Sequence, residues 1–116
     1  MKRLLIIDDE VDLCMLLSKA LKKEAFEVEC VHNLGDAEKK MKEHFDVILL
    51  DNNLPDGSGL QFFVQYPRKF NKSCVVIISA DQHSLTPDEA TRAGAAAFIR
   101  KPFTVGTLKN TLMELQ

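Results

Sequence analysis

A chain of 116 residues, 46% hydrophobic and 28% charged, is long enough for one domain with a core of its own. Fifteen basic residues against seventeen acidic ones give a formal net charge of -2, without the basic excess or stripe of a direct nucleic-acid binder. No apolar run reaches the length of a membrane span, and the N-terminal one ends in acids too soon for a signal peptide.

Short apolar runs alternate with helical patterns along the chain. Leu4 to Ile7 leads straight into Asp8, Asp9 and Glu10. Leu13, Leu16, Leu17, Ala20 and Leu21 then recur at i, i+3, i+4, i+7 and i+8, the spacing of one helix face, with Lys19, Lys22, Lys23 and Glu24 on the solvated side. Val28 to Val31 is the second run. Ala37, Met41 and Phe45 predict a second helix, capped by Asn33. Val47 to Leu50 is closed by Asp51, and Leu60, Phe63 and Val64 predict a short third helix disturbed by Pro67. Val75 to Ile78 is closed by Ser79 and Ala80. Thr86-Pro87-Asp88-Glu89 reads as a capping box with proline at the first helical position, opening a helix that Gly94 ends. Ala95 to Ile99 runs toward Lys101-Pro102, and Val105, Leu108, Leu112 and Leu115 predict a last helix capped by Thr104.

Several runs are apolar without alternation, as strands buried on both faces are. Alternating strands and helices imply right-handed crossovers between parallel strands. The fold class is α/β: a doubly wound five-stranded parallel sheet with helices on both faces.

In such sheets ligands bind beyond the carboxyl ends of the strands. Asp8, Asp9, Asp51, Ser79 and Lys101 each close an apolar run, so they converge on one rim. Three neighbouring carboxylates repel one another, and burial would raise their pKa values. Mg2+, a hard cation that takes oxygen ligands and keeps several waters, relieves that repulsion. Singly, each residue has an ordinary account: Asp9 as a helix N-cap ahead of Val11, Lys101-Pro102 as a loop. Together, at the same end of successive strands, they point to a site. Cys14, Cys30 and Cys74 are odd in number, far apart and without CxxC spacing, which reads as free buried thiols in a reducing cytoplasm. His32, His44 and His83 sit at segment ends without ligand spacing and are assigned to the surface.

Across its whole length the chain resembles a response-regulator receiver domain, the phosphoacceptor module of two-component signalling. The resemblance rests on LLIIDDE, DVILLDNNLPDGSGL, VVIISA and GAAAFIRKPF, in that order. It implies the flavodoxin-like strand order 2-1-3-4-5, which is inherited from the family rather than derived. It implies that Asp51 accepts a phosphoryl group from a phosphohistidine. Mg2+ would be held by Asp8, Asp9, Asp51 and the backbone carbonyl of Asn53. Ser79 and Lys101 would each meet a phosphoryl oxygen, Ser79 and Phe98 would form the switch, and the Lys101-Pro102 bond would be cis. Gly57 and Gly59 would keep the loop after Asp51 compact, and the small Ala80 would leave the site open. Three positions depart from the commoner family pattern: Asn52 is polar, Phe98 lacks a tyrosine hydroxyl, and Ser79 replaces threonine.

The resemblance also implies a cytoplasmic switch rather than an enzyme. Its phosphodonor would be a histidine kinase or histidine phosphotransfer protein. Its output would be a downstream protein partner or a fused effector domain, with a phosphorylation-dependent homodimer as a further option. Among rivals, a flavodoxin-like cofactor binder is excluded because Asp8-Asp9-Glu10 would repel a phosphate. A small Mg-dependent phosphatase of the haloacid-dehalogenase type would want a carboxylate where Asn53 stands, and a cap for which there is no room. A pseudo-receiver binding platform is disfavoured by the presence of the acidic pair, Asp51, Ser79 and Lys101.

Overall fold

The computed structural model describes residues 1–70, 72–80 and 85–115. In chain order they form β1 (Lys2–Ile7), α1 (Val11–Lys22), β2 (Phe26–Val31), α2 (Leu34–Lys40), β3 (Val47–Asp51), β4 (Asn53–Leu54), β5 (Gly57–Ser58), α3 (Gly59–Gln65), β6 (Cys74–Ser79), α4 (Pro87–Arg92), β7 (Ala97–Arg100) and α5 (Val105–Glu114). The main sheet has five strands in the order β2-β1-β3-β6-β7, all parallel. Counted over its own strands, this is the 2-1-3-4-5 order of the flavodoxin-like class. β4 and β5 form a separate antiparallel ribbon immediately after β3.

The period of two along each strand sorts the apolar runs onto two faces. Leu5, Ile7, Ile48, Leu50, Val75 and Ile77 face one core, closed by Ala37, Phe62, Phe63, Phe70 and Ala90. Leu4, Ile6, Val47, Leu49, Val76 and Ile78 face the other, closed by Leu17 and Leu21 of α1 and by Leu108 and Leu112 of α5. Every residue of β3 is buried, because β3 lies at the centre of the sheet and is covered on both faces.

Three of the helix caps anticipated from the sequence are present. Asn33 Oδ1 accepts from the Asp36 N–H at 2.7 Å, Thr86 Oγ1 from that of Glu89 at 3.2 Å, and Thr104 Oγ1 from that of Thr107 at 3.0 Å. Gly94 ends the fourth helix at φ 102°, and the Lys101-Pro102 bond is cis.

Four expectations shift. Cys14, Leu17 and Leu21 form the buried stripe of α1, whereas Leu16 is 55% exposed. The second helix ends at Lys40 with Met41 as its C-cap, and Phe45 enters the core from the loop beyond. The third helix buries Phe62 and Phe63 and exposes Val64, and Pro67 opens a 3-10 turn instead of disturbing that helix. That turn delivers Phe70 edge-on to Phe63, with ring centroids 4.9 Å apart. Glu10, not Asp9, occupies the N-cap of α1, and its side chain makes no capping bond there. Asp81 and His83 lie outside the described residues.

Candidate functional site

Parallel strands present all their carboxyl ends on one edge, so the rim follows from topology. Asp8 comes directly after β1, Asp51 and Ser79 are the last residues of β3 and β6, and Lys101 follows β7. Asp51 pairs in register with Ile78, which sets Ser79 one step further along the neighbouring strand. Asp8, Asp51 and Ser79 are buried, and Asp9 is exposed. One carboxylate oxygen from each of Asp8, Asp9 and Asp51 lies within 4.8 Å of the other two.

Lys101 reaches into this cluster from the far strand. Its Nζ is 3.0 Å from Asp8 Oδ2, 3.4 Å from Asp51 Oδ2 and 3.0 Å from Glu10 Oε1. Asp8 Oδ1 accepts from the Glu10 N–H at 2.9 Å. Asp8 Oδ2, wholly buried, faces the ammonium as an ion pair and has no aligned hydrogen-bond partner among the described residues. Burial, and then the charge of Asp8, push the Asp51 carboxyl up to about 6, against the pull of the Asn53 N–H and Lys101. Burial pulls the Lys101 ammonium down, but its close contacts with Asp8 and Glu10 and the charge of Asp51 outweigh that and raise it. Among the described residues the net picture is a cluster of anions under-compensated by Lys101 alone.

That donor set suits a hard divalent ion: three carboxylates, one of them with a buried oxygen that lacks a hydrogen bond among the described residues. Asn53 lies exposed at the start of β4, its N–H donating to Asp51 Oδ1 at 3.2 Å.

The loop beyond Asp51 is held by groups that the sequence did not single out as functional. Asn52 Oδ1 accepts from Ser58 Oγ at 3.1 Å and from the Leu60 N–H at 3.0 Å. This accounts for a polar residue buried where an apolar one is common. Asp56 accepts from the N–H groups of Leu34 and Gly35 at 2.8 and 3.0 Å, tying the β4–β5 turn to the start of α2. A Cβ on Gly59 would collide with the carbonyl oxygen of Asp51. Glu10 was noted only as part of the acidic run, and its partnership with Lys101 appears only when β1 and β7 are folded together. His32 is half-buried rather than on the surface, with Nδ1 2.8 Å from the Asp8 carbonyl oxygen. Phe98 stands on β7, away from the acidic cluster, half-buried against the core, with the Arg100 guanidinium 5.2 Å from its ring centre.

A doubly wound sheet with this rim defines a receiver-type domain. Residues 4–113 match the response regulator receiver domain family, and the chain belongs to that family. It is similar to the response regulator PilR of Pseudomonas aeruginosa, at 33% identity over 109 residues covering 93% of this chain and 24% of PilR. It is similar in structure to the beryllofluoride-activated NtrC4 receiver-domain dimer, at 34% identity and a TM-score of 0.85, with all of both chains covered. The response regulator TrrA of Thermotoga maritima, solved with Mg2+ and beryllofluoride, matches at 27% identity and a TM-score of 0.85, again over the whole of both chains. The chain spans less than half the length of PilR and of several other curated relatives.

Proposed function

We propose that Asp51 is the phosphoacceptor of a receiver switch, acting in the cytoplasm on phosphoryl groups from a histidine kinase or phosphotransfer protein. One observation carries this reading: Asp8, Asp9 and Asp51 gather three carboxylates at the rim with Lys101 Nζ against Asp51 Oδ2. An Asp51 oxygen forms the new O–P bond as the N–P bond to the donor histidine breaks, and the imidazole nitrogen keeps the bonding pair. Phosphoryl transfer needs positioning and charge compensation more than covalent help from the protein.

Asp8, Asp9, Asp51 and the Asn53 carbonyl would hold Mg2+, which when bound neutralises charge on the transferring oxygens. The TrrA structure, in complex with Mg2+ and beryllofluoride, supports that cofactor. Lys101, cationic and already beside Asp51, meets a second phosphoryl oxygen. Ser79 supplies a hydroxyl to a third. Asn52 and Asp56 keep the loop from moving during attack. A phosphatase would need a general acid where Asn53 stands, and a mere binding platform would not need the rim charges.

The switch in this reading runs from Ser79 to Phe98. Drawing Ser79 toward the phosphoryl group pulls Ala80 inward and lets the Phe98 ring bury itself more deeply. The face formed by α4, β7 and α5 is then the surface offered to a partner, to a fused effector or to a second copy. The NtrC4 dimer supports the last of these.

The test is incubation with acetyl phosphate and Mg2+, read by intact mass. One phosphoryl group is expected in wild type and none in Asp51→Asn or after chelation of the cation. A label retained in Asp51→Asn overturns the assignment.

A further inference from the structure

Cys14 and Cys30 take no part in the site above, yet the fold brings them together across sixteen residues of sequence. β2 is an edge strand, α1 packs against it, and the cleft between them is lined by Val11, Cys14, Met15, Ser18, Cys30 and His32. Cys30 Sγ lies 3.4 Å from Ser18 Oγ and 3.8 Å from the Cys14 carbonyl oxygen. Cys14 Sγ lies 3.6 Å from the Asp8 carbonyl oxygen and 3.9 Å from His32 Nδ1. Cys14 is buried and Cys30 half-exposed. Among the described residues only Asp8, Asp9 and Asp51 gather three ligand atoms closely enough for a metal, so a third ligand does not complete this pair.

We propose that Cys30 and Cys14 form a dithiol oxidised by hydrogen peroxide, with Cys30 attacked from the cleft and Cys14 resolving it to a disulfide that joins α1 to β2. The environment divides the roles. The neighbouring Cys14, then the Ser18 hydroxyl and the charge of His32, hold Cys30 below the ordinary thiol range despite burial. Cys14 is buried and Cys30 half-exposed, so peroxide entering the cleft meets Cys30 first.

In the first step the Cys30 thiolate attacks one peroxide oxygen, the O–O bond breaks, and hydroxide leaves a sulfenic acid. In the second the Cys14 sulfur displaces that hydroxyl, and its proton leaves with it as water. Each sulfur loses one electron, and the two peroxide oxygens gain them.

The experiment is peroxide treatment of the full chain, followed by non-reducing peptide mapping in the presence and absence of dimedone. A Cys14–Cys30 cross-linked peptide lighter by two hydrogens is expected, reversed by dithiothreitol, with Cys74 still alkylatable. In Cys14→Ser, dimedone should trap Cys30; in Cys30→Ser, Cys14 should stay unlabelled. Circular dichroism checks that both variants fold, and if one does not, the wild-type map decides alone. Absence of the cross-link, oxidation of Cys74 as fast as Cys30, or equal labelling of the two serine variants overturns the proposal.

Discussion

Asp51 is the residue where the competing forces are clearest. Burial and the Asp8 charge favour its neutral form, so the folded protein keeps a proton that the unfolded chain releases near 3.8. Its favourable contribution is therefore complete below that range and is lost as the pH rises through about 6. Asp51→Asn should stabilise the metal-free protein by ~1–3 kcal/mol near neutral pH, the gain shrinking on acidification, as denaturant titrations at several pH values would show. The same shift makes protons compete with Mg2+. Apparent affinity by calorimetry should fall about tenfold per unit once the pH drops below the Asp51 range, and a flat profile would contradict the placement of that carboxylate among the ligands. Asp8, Asp51, Ser79 and Lys101 were legible in the sequence because each closes an apolar run, and topology does the rest. Glu10 and His32 were not, because their partners lie far along the chain, and Asn52 was not, because only the β4–β5 ribbon turns Ser58 and Leu60 back onto it.

The connection after β3 is where local backbone geometry serves the site. Asn52 Oδ1, the β4–β5 ribbon and the Asp56 turn bring the start of α3 against the Asp51 carbonyl, where only glycine fits. Gly57, at φ 152°, adds a conformation that other residues rarely adopt. Gly59→Ala should cost ~1–3 kcal/mol in chemical denaturation and slow phosphorylation by acetyl phosphate, because relief of the clash moves Asp51 itself. Wild-type stability with wild-type phosphorylation would show the contact to be slack. The strands and the side-chain caps at Asn33, Thr86 and Thr104 were readable from short-range rules. The ribbon and the 3-10 turn at Pro67–Phe70 were not, since two-residue pairings and single turns leave no period to detect. The buried stripe of α1 was misread at Leu16 because a helix crowded with leucine offers two overlapping faces, and only packing against β2 and α5 selects Cys14, Leu17 and Leu21.

Across the molecule, the sheet is what joins chemistry to surface. Ser79 pairs with Arg100, and the Lys101 N–H donates to the Ser79 carbonyl at 2.9 Å, so a pull on the end of β6 is felt at once on β7, where Phe98 stands. Burying an aromatic side chain contributes roughly 1.5–3 kcal/mol, enough to bias a two-state element. Amide NMR with beryllofluoride and Mg2+ should show shifts spreading from Ala80 through Phe98 into α4. Ser79→Ala should bind the analogue and lose the distant shifts. Distant shifts that persist in the variant would show that Ser79 is not the trigger.

The central claim is that the carboxylate of residue 51 receives the phosphoryl group, and the acyl phosphate can be located chemically. Borohydride reduces an aspartyl phosphate to homoserine and spares free carboxylates, so treatment after acetyl phosphate and Mg2+, followed by peptide sequencing in the mass spectrometer, reads the site directly. Homoserine at position 51, with Asp8 and Asp9 unchanged, is the expected result. Homoserine at position 8 or 9, or none anywhere in phosphorylated protein, would contradict the account.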